Sequence, residues 1–318
     1  MIDRYNRKIN YLRISITDKC NLRCKYCMPE DVKYLDMNEV LSTEEINTII
    51  DILTELGIDK IRITGGEPFV RPDFLEILNI IGSKNIKQFG ITTNGLLLKK
   101  YAPALQKANV NRINISLDSL NCHTYEKITG SDRFHTVLEG INHVYDLDFA
   151  KIKINTVLMK DINDKEILDF INLTKDRNID VRFIELMPIG NEIGFQKENY
   201  LPLEHILDIC SELRETEDQE PSSPSKHYTL PNAKGRVGLI RPLSSKFCKD
   251  CNRIRLTASG NLKLCLHHND EINIKEIIKN NSKEDAKKII LDAINLKPKE
   301  HYLEDNKYID KSMHSIGG

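Results

Sequence analysis

The sequence predicts an α/β fold in which six strand–helix repeats build a parallel sheet with crossover helices. Three observations carry this. Short β-branched runs alternate with helical periodicity from residue 11 to about 186. The loop after the first strand is rich in cysteine, where an open dinucleotide-binding sheet would carry glycines. After residue 190 the alternation stops. On these grounds an open doubly wound sheet and a curved partial barrel, open on one side, both remain. In either, ligands bind at the carboxyl ends of the strands, so the polar residues there are the candidates.

The elements follow in order. "YLRISIT" (11–17) reads as a strand. Ser42 starts a helix, "STEEINTIIDILTELG". Glu45 completes a capping box, Ile46, Ile49, Ile50 and Leu53 form one apolar face, and Gly57 closes it. "KIRIT" (60–64) is a strand, "DFLEILNII" (73–81) a helix, and "IKQFGITT" (86–93) a strand. A helix over 99–109 precedes the strand "NRINISL" (111–117), and a helix over roughly 134–147 precedes "KIKINTVL" (151–158). A helix over 163–178, which Asn163 is placed to cap, leads to the sixth strand, "IDVRFIEL" (179–186). Residues 214–228, acidic and then Ser/Pro-rich, read as a loop or linker, and the chain from 270 reads as helical.

The chain has 318 residues and a formal net charge of −1. That length supports a sizeable core. The near-neutral charge gives no bulk case for nucleic acid or membrane, so an anionic ligand needs a local cluster of cations. The apolar runs are too short to span a bilayer and the N-terminus lacks an apolar signal core, which predicts a cytoplasmic protein.

Eight cysteines in such a chain do not suggest a disulfide framework. Six fall into two groups, Cys20/Cys24/Cys27 and Cys248/Cys251/Cys265; Cys122 and Cys210 stand alone and read as small buried hydrophobes. The first group, C-x-x-x-C-x-x-C, leaves tetrahedral zinc one ligand short. A four-iron cluster normally takes four thiolates. Held by three, it keeps one iron open to a substrate or cofactor, a catalytic arrangement. The second group, in "FCKDCNRIRLTASGNLKLCL", again supplies three; a zinc ribbon completed by His267 or His268 is the competing reading.

The first motif, with Tyr26 before its last cysteine and "TGGEP" (64–68) after the second strand, resembles the radical S-adenosylmethionine superfamily. The resemblance implies a partial (βα)6 barrel over residues 1–190 and a C-terminal region, 191–318, carrying a second iron–sulfur cluster. With "NRIRLT" inside the second motif and "IGG" at the end, the chain closely resembles the GTP 3′,8-cyclases of molybdenum cofactor biosynthesis.

That resemblance implies two [4Fe-4S] clusters and S-adenosyl-L-methionine as cofactors, with Cys20, Cys24 and Cys27 on one cluster and Cys248, Cys251 and Cys265 on the other. It implies cofactor contacts from Tyr26, Gly66, Ser116 and Met187. It implies GTP contacts from Arg13, Arg62, Thr92, Lys153, Arg253 and Arg255. Arg13, Arg253, Arg255 and the tail glycines Gly317 and Gly318 are implied in catalysis. The implied reaction takes hydrogen from the ribose 3′ carbon of GTP and joins that carbon to guanine carbon 8. Implied partners are an electron donor protein and a downstream cyclic pyranopterin monophosphate synthase. A homodimer is compatible with the sequence; nucleic acid and membrane are not expected. Two other readings stand beside it: a two-cluster enzyme that modifies a peptide, and a zinc-stabilised nucleic-acid-binding module.

Overall fold

A computed structural model describes residues 1–28, 31–149, 151–190, 193–217, 220–303, 309 and 311–317. Six strands lie side by side in chain order, all parallel: β1 (Tyr11–Ser15), β2 (Lys60–Thr64), β3 (Gln88–Thr93), β4 (Arg112–Ser116), β5 (Ile152–Leu158) and β6 (Ile179–Glu185). Between them run α1 (Thr43–Glu55), α2 (Phe74–Gly82), α3 (Leu98–Lys107), α4 (Cys122–Thr129), α5 (Phe134–Asp146) and α6 (Ile167–Asp176). The sheet is open and not a closed barrel. Its outward face carries Leu12, Ile14, Ile61, Ile63, Ile91, Ile113, Ile154 and Val181, all buried in one core with the helices.

The local signals account for several boundaries. The Ser42 hydroxyl accepts from Glu45 N while the Glu45 carboxylate accepts from Ser42 N, so the capping box forms as the sequence predicts. α4 was not anticipated, because it is short and carries little apolar periodicity. Its start is fixed by Asn121, whose side chain accepts from His123 N at 3.0 Å and Thr124 N at 3.1 Å.

Three expectations need correction. Asn163 does not cap the following helix, which begins at Ile167. Its amide is used across the loops instead, donating to Asp118 O at 2.7 Å and Val157 O at 2.9 Å while accepting from Met159 N. The stretch 214–228 is not simply a linker: β7 (Arg214–Thr216) and β8 (Ser225–Thr229) pair antiparallel at the sheet edge. Polar composition concealed them, since an edge strand can be solvated on one side. Cys122 is exposed, whereas Cys210 is buried as expected.

The C-terminal region joins the same sheet at both edges. β9 (Val237–Ile240) pairs parallel with β6, and β8 continues from it antiparallel. β10 (Arg253–Leu256) pairs parallel with β1, and β11 (Asn261–Lys263) and β12 (Ile272–Asn273) extend that edge. α7 (Ile193–Glu198) and α8 (His205–Ile209) precede these strands; α9 (Ile274–Asn280) and α10 (Lys283–Asn295) follow them. Among the described residues no helix is long and apolar enough to cross a membrane.

Candidate active site

Successive side chains on a strand face opposite ways, so every second residue faces inward. In a packed barrel those positions hold bulky branched side chains. Here most of them are polar, and they line a cavity of about 380 Å³. β1 contributes Tyr11 and Arg13, β2 Arg62 and Thr64, and β3 Gln88 and Thr92. β4 contributes Arg112, Asn114 and Ser116; β5 Lys153 and Asn155; β6 Arg182; and β10 Arg253 and Arg255. Parallel register sets Arg255, Arg13 and Arg62 in one row across three strands.

The row is electrostatically strained. Burial, and then the charge of Arg255, pulls Arg13 well below the usual arginine value. Burial brings Arg182 and Arg255 down to about 10. Burial brings Lys153 down to about 6, helped by Arg182 and opposed by Asp180 at 3.4 Å. Burial alone would raise the Tyr11 phenol, but Arg62 and Arg13 outweigh it and hold it at about 8. Arg62 Nε donates to the Tyr11 hydroxyl at 2.6 Å. Such a concentration of desolvated cations favours a multiply charged anion.

One end of the cavity is partly neutralised. Glu220, beyond β7, accepts from Gln88 at 2.6 Å and pairs with Arg112 at 3.3 Å and Lys60 at 3.6 Å. Arg253 Nη2 donates to Ser222 O at 2.6 Å, so the segment between β7 and β8 is tied to the same end.

The two thiol groups lie at opposite ends of β1 and β10. Cys20, Cys24 and Cys27 sit in the loop that leaves the carboxyl end of β1. Cys251 stands two residues before the amino end of β10, and Cys265 two residues after the end of β11; the antiparallel β10–β11 pairing brings these two together despite their separation in sequence. Cys248 stands three residues before Cys251 in a single turn of 3-10 helix. Since β1 and β10 are parallel, the groups face each other along the strands. A strand of five residues spans roughly 17 Å, which sets the scale of the gap.

In each group the thiols feel one another. Burial pushes Cys24 well above its usual value and Cys27 up to about 12, with Cys20 adding to both shifts. Burial raises Cys248 and Cys265 as well. Burial also opposes the Cys251 thiolate, but the charges of Lys297 and Arg253 outweigh it and hold that thiol below its usual value. Among the described residues no three His, Cys, Asp or Glu side chains are grouped so as to hold a single metal ion. A four-iron cluster receives each of three thiolates on a different iron and keeps its fourth iron open.

The cavity also presents polar atoms that await a ligand. Among the described residues, Thr92 Oγ1, Asn114 Oδ1, Asn155 Oδ1, Arg182 Nε and Arg253 Nη1 are buried without a hydrogen-bond partner. A buried polar atom left unpaired is costly, so such a set marks a binding surface. Near the first thiols, the GGEP turn is locked by Glu67. Its carboxylate accepts from Asn94 N at 2.7 Å, Thr93 Oγ1 at 2.9 Å and Phe69 N at 3.2 Å, and burial lifts its pKa to about 7. The Tyr26 hydroxyl donates to Asp118 at 2.8 Å, fixing the cysteine loop against the end of β4. Thiols, glycine turn and unpaired polar groups together fit two iron–sulfur clusters with an anionic ligand between them.

Comparison with known proteins agrees. Residues 14–174 match the radical SAM superfamily, and residues 179–303 match the Molybdenum Cofactor Synthesis C family. The chain is 49% identical to a GTP 3′,8-cyclase of Alkaliphilus oremlandii, with both chains covered in full. It is 45% identical to one of Peptoclostridium acidaminophilum, over 100% of this chain and 98% of the relative.

The chain belongs to the GTP 3′,8-cyclase family.

Among solved structures, Streptococcus suis SuiB bound to precursor peptide SuiA superposes with a TM-score of 0.65 at 17% identity, over 92% of this chain and 65% of SuiB. Native anSMEcpe with bound AdoMet gives 0.56 at 15% identity, over 86% of this chain and 82% of the other. At these identities the likeness concerns the fold.

In this member of the GTP 3′,8-cyclase family the cavity gathers the six clustered cysteines, Tyr26, Gly66, Ser116 and Met187. It also gathers Arg13, Arg62, Thr92, Lys153, Arg253 and Arg255. Gly317 reaches the site through Arg255, whose Nη1 donates to its carbonyl at 2.8 Å. Gly318 lies outside the described residues. Sequence reasoning missed Tyr11, Asn114, Asn155 and Arg182. The signal was present: each is a polar residue at an alternate position of an otherwise β-branched run.

Proposed function

We propose that this enzyme cyclises GTP to (8S)-3′,8-cyclo-7,8-dihydroguanosine 5′-triphosphate, the first step of molybdenum cofactor biosynthesis. The observation that carries this reading is one cavity with three thiols at each end and a row of desolvated arginines between them. Cys20, Cys24 and Cys27 would hold one four-iron cluster, and Cys248, Cys251 and Cys265 the other. When bound, the first cluster and S-adenosylmethionine would supply the one-electron chemistry that removes the ribose 3′ hydrogen.

The chain's own residues bind, orient and shield. Gly66 lets backbone approach the cofactor methionine closely. Tyr26, Ser116 and Met187 line the same end of the cavity and hold the rest of the cofactor. Arg13, Arg62, Thr92 and Lys153 receive GTP: the arginines suit bidentate phosphate contact, and Lys153 acts as a point charge. Arg253 and Arg255 hold the nucleotide beside the second cluster. Such fixed placement selects which hydrogen leaves. Arg13 assists the reduction of the cyclised radical, which takes one electron from the electron donor and one proton from solvent, and the tail residues Gly317 and Gly318 take part in catalysis.

An electron donor protein reduces the first cluster, and a cyclic pyranopterin monophosphate synthase consumes the product. The protein works in the cytoplasm. The test is anaerobic incubation of the reconstituted enzyme with GTP, S-adenosylmethionine and dithionite. One 5′-deoxyadenosine should form per cyclised nucleotide. Cofactor cleavage that leaves GTP unchanged would overturn the reading.

A further inference from the structure

Lys297 lies just past α10 and is 2% exposed. Its ammonium donates to Arg253 O at 2.9 Å and to Leu264 O. Arg253 stands two residues after Cys251, and Leu264 immediately before Cys265. One side chain therefore ties the two arms of the β10–β11 hairpin where each meets its cysteine, and it lines the cavity there.

The next residues are held from the other side. Arg7, 6% exposed, donates to Pro298 O at 2.7 Å, to Lys299 O at 3.0 Å and to Cys248 O at 2.9 Å. Asp3 steadies that guanidinium at 2.7 Å. Through Lys297 and Arg7, residues 297–299 join all three segments that carry the second thiol group.

A four-iron cluster on three thiolates carries net negative charge, and burying it is costly unless a cation compensates. Charge and hydrogen bonding around the cluster also set its reduction potential. We propose that Lys297 is a positioning residue for the second cluster, bracing the chain on either side of it and placing a buried positive charge beside it that raises its potential. This rests on the reading that Cys248, Cys251 and Cys265 hold that cluster.

The test uses the full chain carrying C20A, C24A and C27A, so that the second cluster is observed alone. Three variants are added: K297R, K297Q and K297M. Readouts are iron and sulfide content, iron retention against a chelator, and the midpoint potential by EPR-monitored titration.

K297R should match the parent. K297Q, which keeps a donor but loses the charge, should load the cluster and titrate at a lower potential. K297M, which loses both, should also retain iron about tenfold less well. If K297M fails to fold, the K297Q and K297R potentials decide alone. Equal potentials in the parent, K297R and K297Q would overturn the proposal. Absence of iron from the parent would instead remove the second-cluster reading and this inference with it, a failure visible before any Lys297 variant is compared.

Discussion

The Gly317 carbonyl accepts a 2.8 Å hydrogen bond from Arg255 Nη1, more than sixty residues upstream in sequence and in the central arginine row. The tail is thus drawn into the sheet interior, with Ile316 packed against Ile189 and Ile309. Gly317 has φ +73°, and a Cβ there would stand 2.8 Å from Thr64 Oγ1. Its backbone conformation and its surroundings both exclude a side chain. G317A should therefore lower turnover at least tenfold, about 1.4 kcal/mol, while iron content stays at the wild-type value. Unchanged turnover would show that the tail has no part in the reaction.

Lys153 provides a pH signature. Burial holds its folded pKa at about 6, far below that of an unfolded lysine. The unfolded chain therefore binds more protons between pH 6 and about 10.5, so the apoprotein gains stability as pH rises across that window. A polyphosphate beside Lys153 favours the ammonium and raises its pKa, so binding at pH 7.5 takes up a proton. Calorimetry of GTP binding in two buffers of different ionisation enthalpy should detect that uptake. K153M should abolish it and flatten the stability slope; equal uptake by K153M and wild type would contradict the assignment.

Gly66 links the GGEP turn to the first thiols. A Cβ there would lie 2.4 Å from Lys19 O and 2.6 Å from Asp18 O, the backbone that leads into Cys20. G66A must push this backbone aside. Iron in the reconstituted variant should fall from about eight to about four per chain, with loss of S-adenosylmethionine binding. Full iron content in G66A would show that the contact is tolerated.

Much of this was legible in the sequence because the chemistry is local. Cys20, Cys24 and Cys27 share one loop, and the capping box at Ser42 depends on residues three apart. Cys248, Cys251 and Cys265 were also legible as one group, although the β10–β11 hairpin that brings Cys265 back to the other two has strands too short to give a periodic signal. The cavity cations Arg13, Arg62, Lys153, Arg253 and Arg255 were named through the family resemblance, and the polar alternation along the strands was not used. Tyr11 and Arg182, which matter through their neighbours across the sheet, were therefore passed over. Asn163 shows the reverse case: a good capping residue was diverted to buried carbonyls of a neighbouring loop, a contact that sequence spacing does not encode. Glu220 closes the cavity from within a stretch that reads as solvated loop, because its partners Lys60 and Arg112 lie on distant strands.

The account depends on two iron–sulfur clusters at the two ends of one cavity, and metal and sulfide analysis tests this most directly. Anaerobically reconstituted protein should hold about eight irons and eight sulfides per chain, and either C20A/C24A/C27A or C248A/C251A/C265A should halve both. Zinc in place of iron, or one triple variant removing all the iron, would contradict it.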